Sequence, residues 1–305
     1  MLRDWSPFHD LAKAFAEGPV CLRVVGLTGG ARALAVAELL QGASRPGLVL
    51  VPSIVDAHRW TQDLKFFGAA ALEFPEGEPR LWRGGRQREA DAERALACQR
   101  LAAGETLIVV ATPPALDAEV LVPAEFAARA LRLEVGDALD RELLVEAFEH
   151  GGYERVDTVV EVGQWSARGG IVDVFSPTHP NPARVEFLGD EIESIRLFDP
   201  TSQRSTAALR ELAVLPLATG GDGRGRLLDY LPASAPVVVD APRVLDTPTD
   251  TDPGAGLLRD RLGGHREGTG PEQPFEPSRR LASGVGPRHG VGRHGVRPRR
   301  LARRR

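Results

Sequence analysis

Along residues 1–130, short and nearly continuous apolar runs alternate with stretches of helical spacing. The runs are Cys21–Leu27 (CLRVVGL), Leu48–Val51 (LVLV) and Leu107–Ala111 (LIVVA). Each is short, apolar and largely β-branched, as a strand buried on both faces requires. Between them, Ser6-Pro7 opens a helix that ends near Gly18, and Ala31–Leu40 is helical after Gly29-Gly30. Ser53 caps a helix running to about Phe67, and Arg86–Ala103 is a helix rich in Ala, Glu and Arg. Alternation of this kind predicts an α/β fold: a parallel sheet flanked by helices.

The rhythm changes after residue 130. A strand at Leu131–Val135 leads to a helix near Leu139–His150, and strands then follow with no room for helices between them. They fall at about Val156–Val162, Gly169–Phe175, Arg184–Leu188 and Ile192–Phe198, with Gly189-Asp190 as a two-residue hairpin turn. This predicts a small α+β antiparallel domain over 131–205, inserted into the α/β domain. Residues 206–245 return to α/β character, with a strand at Leu212–Leu217, a short helix at Gly225–Leu231 and a buried strand at Pro236–Asp240 (PVVVD). Residues 246–305 lose all apolar periodicity and read as a linker and an Arg/Gly/Pro-rich tail, disordered or out of frame.

Charge sharpens that division. The 305 residues carry a formal net charge of −4, yet Arg279–Arg305 holds ten Arg and no Asp or Glu. The remainder therefore carries −14. An acidic body is joined to a cationic tail; the tail reads first as the out-of-frame end of a truncated chain, and only secondarily as an arm for phosphate backbones, without interleaved aromatics for base stacking. No apolar run reaches the roughly 18–20 residues that cross a bilayer, so no membrane partner is expected. Two cysteines, Cys21 and Cys98, form no CxxC and fit a reducing cytoplasm. The seven His show no HExxH spacing, and no GxSxG elbow occurs. Neither a metal nor a catalytic residue is expected.

One loop has the place of a phosphate cradle but not its chemistry. Residues 26–33 read GLTGGARA, between the first expected strand and a helix. A working GxxxxGK[ST] loop uses a Lys on the β/γ oxygens and a hydroxyl on Mg²⁺. Here Gly26 matches the first glycine, with Thr28, Gly29 and Gly30 inside the loop, but Ala31, Arg32 and Ala33 replace the Gly, Lys and Ser/Thr. The expectation is a degenerate P-loop NTPase-like turn that keeps the fold and binds no cofactor.

The specific signal lies in residues 152–157 (GYERVD), 163–175 (GQWSARGGIVDVF), 184–191 (RVEFLGDE) and 197–204 (LFDPTSQR). Period-2 geometry puts Arg184, Glu186 and Leu188 on one face of their strand and Val185 and Phe187 on the other, toward the core. An exposed Arg beside an apolar group is a common interface anchor. Arg168, placed at a strand start before Gly169-Gly170, joins that face. Two other readings stay open: Arg184 as a solvated residue paired with Glu186 or Glu193, and Trp165 as packing support or interface contact.

These segments resemble the UvrB interaction domain, which binds UvrA in bacterial nucleotide-excision repair. The domain occurs in UvrB and in the UvrB-like N-terminal module of transcription-repair coupling factors. The degenerate loop is similar to that of the second family. About Phe74–Glu89, where UvrB carries a Tyr-rich hairpin, this chain is short and lacks Tyr. The resemblance spans roughly residues 15–245. It implies UvrA as partner, bound through Arg168, Arg184, Leu188 and Trp165, with Leu188 standing where an aromatic often sits. It also implies that RNA polymerase and DNA are partners only through a polymerase-binding domain and an ATP-driven translocase motor missing from this chain. The expectation is a truncated, non-enzymatic module that recruits UvrA. The alternative is a UvrB-like fragment that binds ATP and damaged DNA.

Overall fold

The structure, a computed structural model, describes residues 6–16, 24, 26–77, 85–218 and 223–240. The expected tail at 246–305 and most of the run Cys21–Leu27 lie outside these residues. In chain order the elements are α1 (Ser6–Ala16), α2 (Gly30–Ala43), β1 (Gly47–Leu50), α3 (Ile54–Phe66), β2 (Ala71–Phe74), α4 (Gly85–Ala102) and β3 (Ile108–Ala111). Then come β4 (Val120–Leu121), α5 (Pro123–Arg129), β5 (Leu131–Glu134), α6 (Arg141–His150), β6 (Glu154–Arg155), β7 (Gln164–Arg168) and β8 (Ile171–Val174). The last are β9 (Ala183–Leu188), β10 (Glu191–Phe198), β11 (Ser205–Leu209), β12 (Glu211–Val214), β13 (Arg224–Gly225) and β14 (Val237–Val239). Two compact units result. Among the described residues, the first takes 6–73, 104–117 and 231–240, and the second takes 74–103 and 118–230.

The first unit is built on a four-stranded sheet ordered β14-β1-β3-β2. Strand β1 runs parallel to both its neighbours, with Leu48 opposite Val237 on one side and Val109 on the other. All four residues of β1 and of β3 are buried, which explains their unbroken apolar runs. Helices α2 and α3 lay Ala33, Val36, Leu40, Trp60 and Leu64 into one core with Val49, Val51 and Val110. Ser53 caps α3 by accepting from the Asp56 amide at 3.2 Å. The described part of the first expected strand (residues 24, 26 and 27) forms none, and PVVVD supplies the strand beside β1 instead. Strand β2 was not anticipated, because ALEF has too few residues to show a period.

The second unit holds a six-stranded sheet ordered β11-β10-β9-β8-β7-β6. Strands β7 to β11 pair antiparallel in sequence, and β6 pairs parallel to β7. Two short antiparallel pairs, β12 with β5 and β13 with β4, complete the unit. Asp140 caps α6 by accepting from the Glu142 amide at 2.8 Å, and Phe148 of this helix stacks on Trp165 of β7 at 5.3 Å. The Tyr153 ring meets Phe148 edge-on, while its hydroxyl donates to the Leu215 carbonyl at 2.9 Å.

Two expected strands move. Val156–Val162 is not a strand: Gln164 folds back to accept from the amides of Val160 and Glu161 at 3.0 and 2.9 Å, which holds this segment as a turn. Gly169–Phe175 splits, because Gly169-Gly170 is the tip of the β7–β8 hairpin. Gly189-Asp190 makes the β9–β10 turn as expected.

On α4, the buried Arg94 donates to the carbonyls of Pro75 and Glu76 at 3.1 and 2.8 Å and pairs with Asp91. One turn on, Cys98 is fully buried, and loss of hydration pushes its thiol up to about 12. Such a thiol is unreactive near neutral pH, because the thiolate is the nucleophile. In a Cys21→Ser chain, a thiol reagent at pH 8 is expected to label Cys98 only after unfolding by guanidinium. Rapid labelling of the folded chain would contradict this burial.

Candidate partner-binding interface

The hairpin turns bring Arg168, Arg184 and Leu188 onto one face, and Trp165 onto the other. Gly169 sits at φ +58°, in the left-handed region, and a Cβ on Gly170 would meet the Phe187 carbonyl oxygen at 2.9 Å. That close approach is real: Phe187 N–H donates to the Gly170 carbonyl at 2.7 Å. The Arg141 guanidinium, from the start of α6, donates to the Gly169 carbonyl and steadies the same tip. Two glycines are thus needed where RGG stands. Arg168 lies at the end of β7 rather than at a strand start.

Register defines the face. One row across the sheet runs Ser166, Asp173, Arg184, Arg196 and Ala208, and the next runs Arg168, Ile171, Glu186 and Ser194. Leu188 follows Glu186 by two positions on β9 and so shares this face. The opposite face carries Val172, Val185 and Ile195, all buried.

Arg184 is not free on this face. Its Nε and terminal nitrogen donate to the two Asp173 oxygens at 2.7 and 2.8 Å, and its guanidinium carbon sits 4.8 Å from the centre of the Phe198 ring. The hydrogen bonds of Asp173 hold the Arg184 pKa above its ordinary value, against the opposing effect of burial. Neither Glu186 nor Glu193 is the hydrogen-bonding partner: Glu186 accepts from Ser194 at 2.6 Å and pairs with Arg196 at 3.1 Å. Two charge pairs are therefore closed within the sheet.

Arg168 and Leu188 differ. Arg168 is exposed, and its guanidinium has no ion-pair partner among the described residues. Leu188 is 72% exposed, large for an apolar side chain at a strand end. Trp165 is completely buried, stacked on Phe148, with Arg155 5.3 Å over its ring. Trp165 thus serves as packing between β7 and α6. Asp173 and Phe198 were missed by sequence reading. Asp173 is the one polar position in IVDV, and only the register shows that it faces Arg184.

The loop at 26–33 forms a separate locale in the first unit. Gly26 and Gly29 have φ of +85° and +53°, and Thr28 and Gly29 are exposed. Arg32 reaches Asp240, at the end of β14, with 2.6 and 2.7 Å contacts to its two oxygens. Trp60 Nε1 donates to the same carboxylate at 2.8 Å, and Arg32 lies 5.6 Å over the Trp60 ring. Ala33 is buried and has no hydroxyl to offer. Among the described residues, no group of three or more His, Cys, Asp or Glu is placed to hold a metal ion. No described helix is long and apolar enough to cross a membrane.

Residues 131–219 match the family described as the UvrB interaction domain, and the sheet and the face just described lie within the matched residues. The relatives name two kinds of protein. The chain is 37% identical over 230 residues to the transcription-repair-coupling factor of Myxococcus xanthus, an alignment covering 70% of this chain and 19% of that protein. It is 29% identical over 219 residues to the coupling factor of Bacillus subtilis, covering 70% and 18%. It is also 30% identical over 219 residues to UvrABC system protein B of Thermus thermophilus, covering 66% and 32%. The chain thus spans about a fifth of the coupling factors and a third of the UvrB protein. These similarities tie it to bacterial nucleotide-excision repair.

Proposed function

We propose that this chain is the UvrA-recruiting module of a transcription-repair coupling factor, acting by protein–protein contact rather than catalysis. The observation that carries the reading is the outer face of the six-stranded sheet. There an unpaired Arg168 and a protruding Leu188 stand beside two closed charge pairs, Arg184 with Asp173 and Arg196 with Glu186, and the exposed Glu191 lies opposite Leu188. A partner approaching such a face gains an ion pair and an apolar contact and desolvates few uncompensated groups. Arg184 contributes its partly exposed edge while its charge is shared with Asp173. The UvrB interaction domain match over residues 131–219 and the coupling-factor relatives support UvrA as that partner. Titration of the chain into purified UvrA tests the reading: saturable binding is expected, and no binding would overturn it.

The first unit, in this reading, is a P-loop NTPase-like fold that has lost its nucleotide. Asp240 neutralises Arg32, the residue at the Lys position of the loop, and Ala33 leaves no oxygen for Mg²⁺. Calorimetric titration with ATP and Mg²⁺ is expected to show no binding. Micromolar affinity would favour a UvrB-like nucleotide-binding role instead.

A further inference from the structure

We infer that Ile171 is a contact residue of this face, joining Arg168 and Leu188 into one patch. The inference rests on the UvrA-binding reading above and adds to it the chemistry that the partner must present. Ile171 opens β8, directly opposite Arg168 on β7 and opposite Glu186 on β9. Leu188 is its diagonal neighbour across the β8–β9 pair, a spacing of about 7–8 Å that two aliphatic side chains can bridge. Ile171 is 39% exposed and Leu188 72% exposed. A single exposed aliphatic residue is ordinary on a protein surface, but two neighbours beside an unpaired Arg are a small apolar patch with a cationic rim.

The surroundings decide what fits there. Glu186 is occupied by Ser194 and Arg196, and Asp173 by Arg184, so these carboxylates do not repel an approaching acid strongly, whereas the exposed Glu191 opposite Leu188 does, which confines the partner's acid to the Arg168 side of the patch. Arg141 adds a second cation at the same hairpin tip, fixed to the Gly169 carbonyl. The matching surface on UvrA therefore presents an apolar side chain for Ile171 and Leu188 with a carboxylate beside it for Arg168. An all-polar acidic surface would use the cations and leave Ile171 idle.

The test compares the whole chain with Ile171→Thr, which keeps β-branching and so suits a strand. The titrant is purified UvrA, and a thermal melt of each chain runs in parallel. Affinity at least fivefold weaker, with an unchanged melting temperature, is expected. Unaltered affinity of the folded variant would overturn the inference while leaving the UvrA reading intact. Failure of the unsubstituted chain to bind UvrA would overturn both. Amide exchange of the unsubstituted chain gives a second arm, independent of any substitution. Exchange at Gly169, Gly170 and Ile171 is expected to slow when UvrA is bound, and exchange there unaffected by bound UvrA would also overturn the inference.

Discussion

Replacing Trp165 with Ala is expected to destabilise the chain by about 3–5 kcal/mol, the range for emptying a large aromatic site in a packed core. Trp165 is completely buried and stacks on Phe148, which in turn meets Tyr153. Collapse around the void is limited, because β7 is held by β6 on one side and β8 on the other. A loss of this size is a large fraction of the roughly 5–15 kcal/mol that keeps a domain folded. Trp165→Phe should cost clearly less, since it preserves a ring against Phe148. The indole N–H has no hydrogen-bond partner, so removing it sacrifices none. Urea denaturation followed by far-UV circular dichroism measures both. A change below about 1 kcal/mol for the Ala variant would show that the ring is not packed as described.

The second large effect is on binding. Arg168→Glu is expected to weaken UvrA binding about tenfold or more, the scale of an interface hot spot, with no change in melting temperature. Its side chain is exposed and unpaired, so reversing it disturbs nothing inside the sheet. Much of the loss should fall on the association rate and shrink at high salt, as for charges at an interface rim. Arg184→Glu would be a poorer probe of the same face. It places a carboxylate against the buried Asp173 and breaks a pair whose disruption costs about 3–5 kcal/mol. Reduced binding by that variant would therefore report unfolding as much as lost contact. Measured at two salt concentrations, equal affinities for Arg168→Glu and the parent chain would exclude Arg168 from the interface.

The contrast between these two arginines shows where the sequence was legible. Buried strands β1 and β3 were readable as short unbroken apolar runs, α2 from the Gly29-Gly30 that precedes it, α3 from its Ser53 cap, and α4 from its richness in Ala, Glu and Arg. The β9–β10 hairpin was readable from Gly189-Asp190 between two alternating runs. The β7–β8 hairpin was not, since GQWSARGGIVDVF is apolar at both ends and its turn lies between them. That misplacement put Arg168 at a strand start and hid the pairing of Ile171 with it. The partner of Arg184 was equally hidden: Glu186 and Glu193 are near in sequence, whereas Asp173 lies on the neighbouring strand in a register that no single strand reveals. Trp165 illustrates the same limit. Burial of an aromatic residue is a property of the packed sheet and of α6, and the alternation of one strand leaves it undecided. In the first unit, the loop at 26–33 was recognisable as lacking Lys and Ser/Thr. The contact of Arg32 with Asp240, 208 residues away in sequence, was not legible there.

In the proposed function, UvrA binds the outer face of the six-stranded sheet. The most direct test is a titration of purified UvrA with the chain and with the double variant Arg168→Glu/Leu188→Asp, after both are shown to melt at the same temperature. Saturable binding by the chain, weakened about a hundredfold or more in the double variant, is the predicted result. Equal affinity of the two folded chains would contradict it.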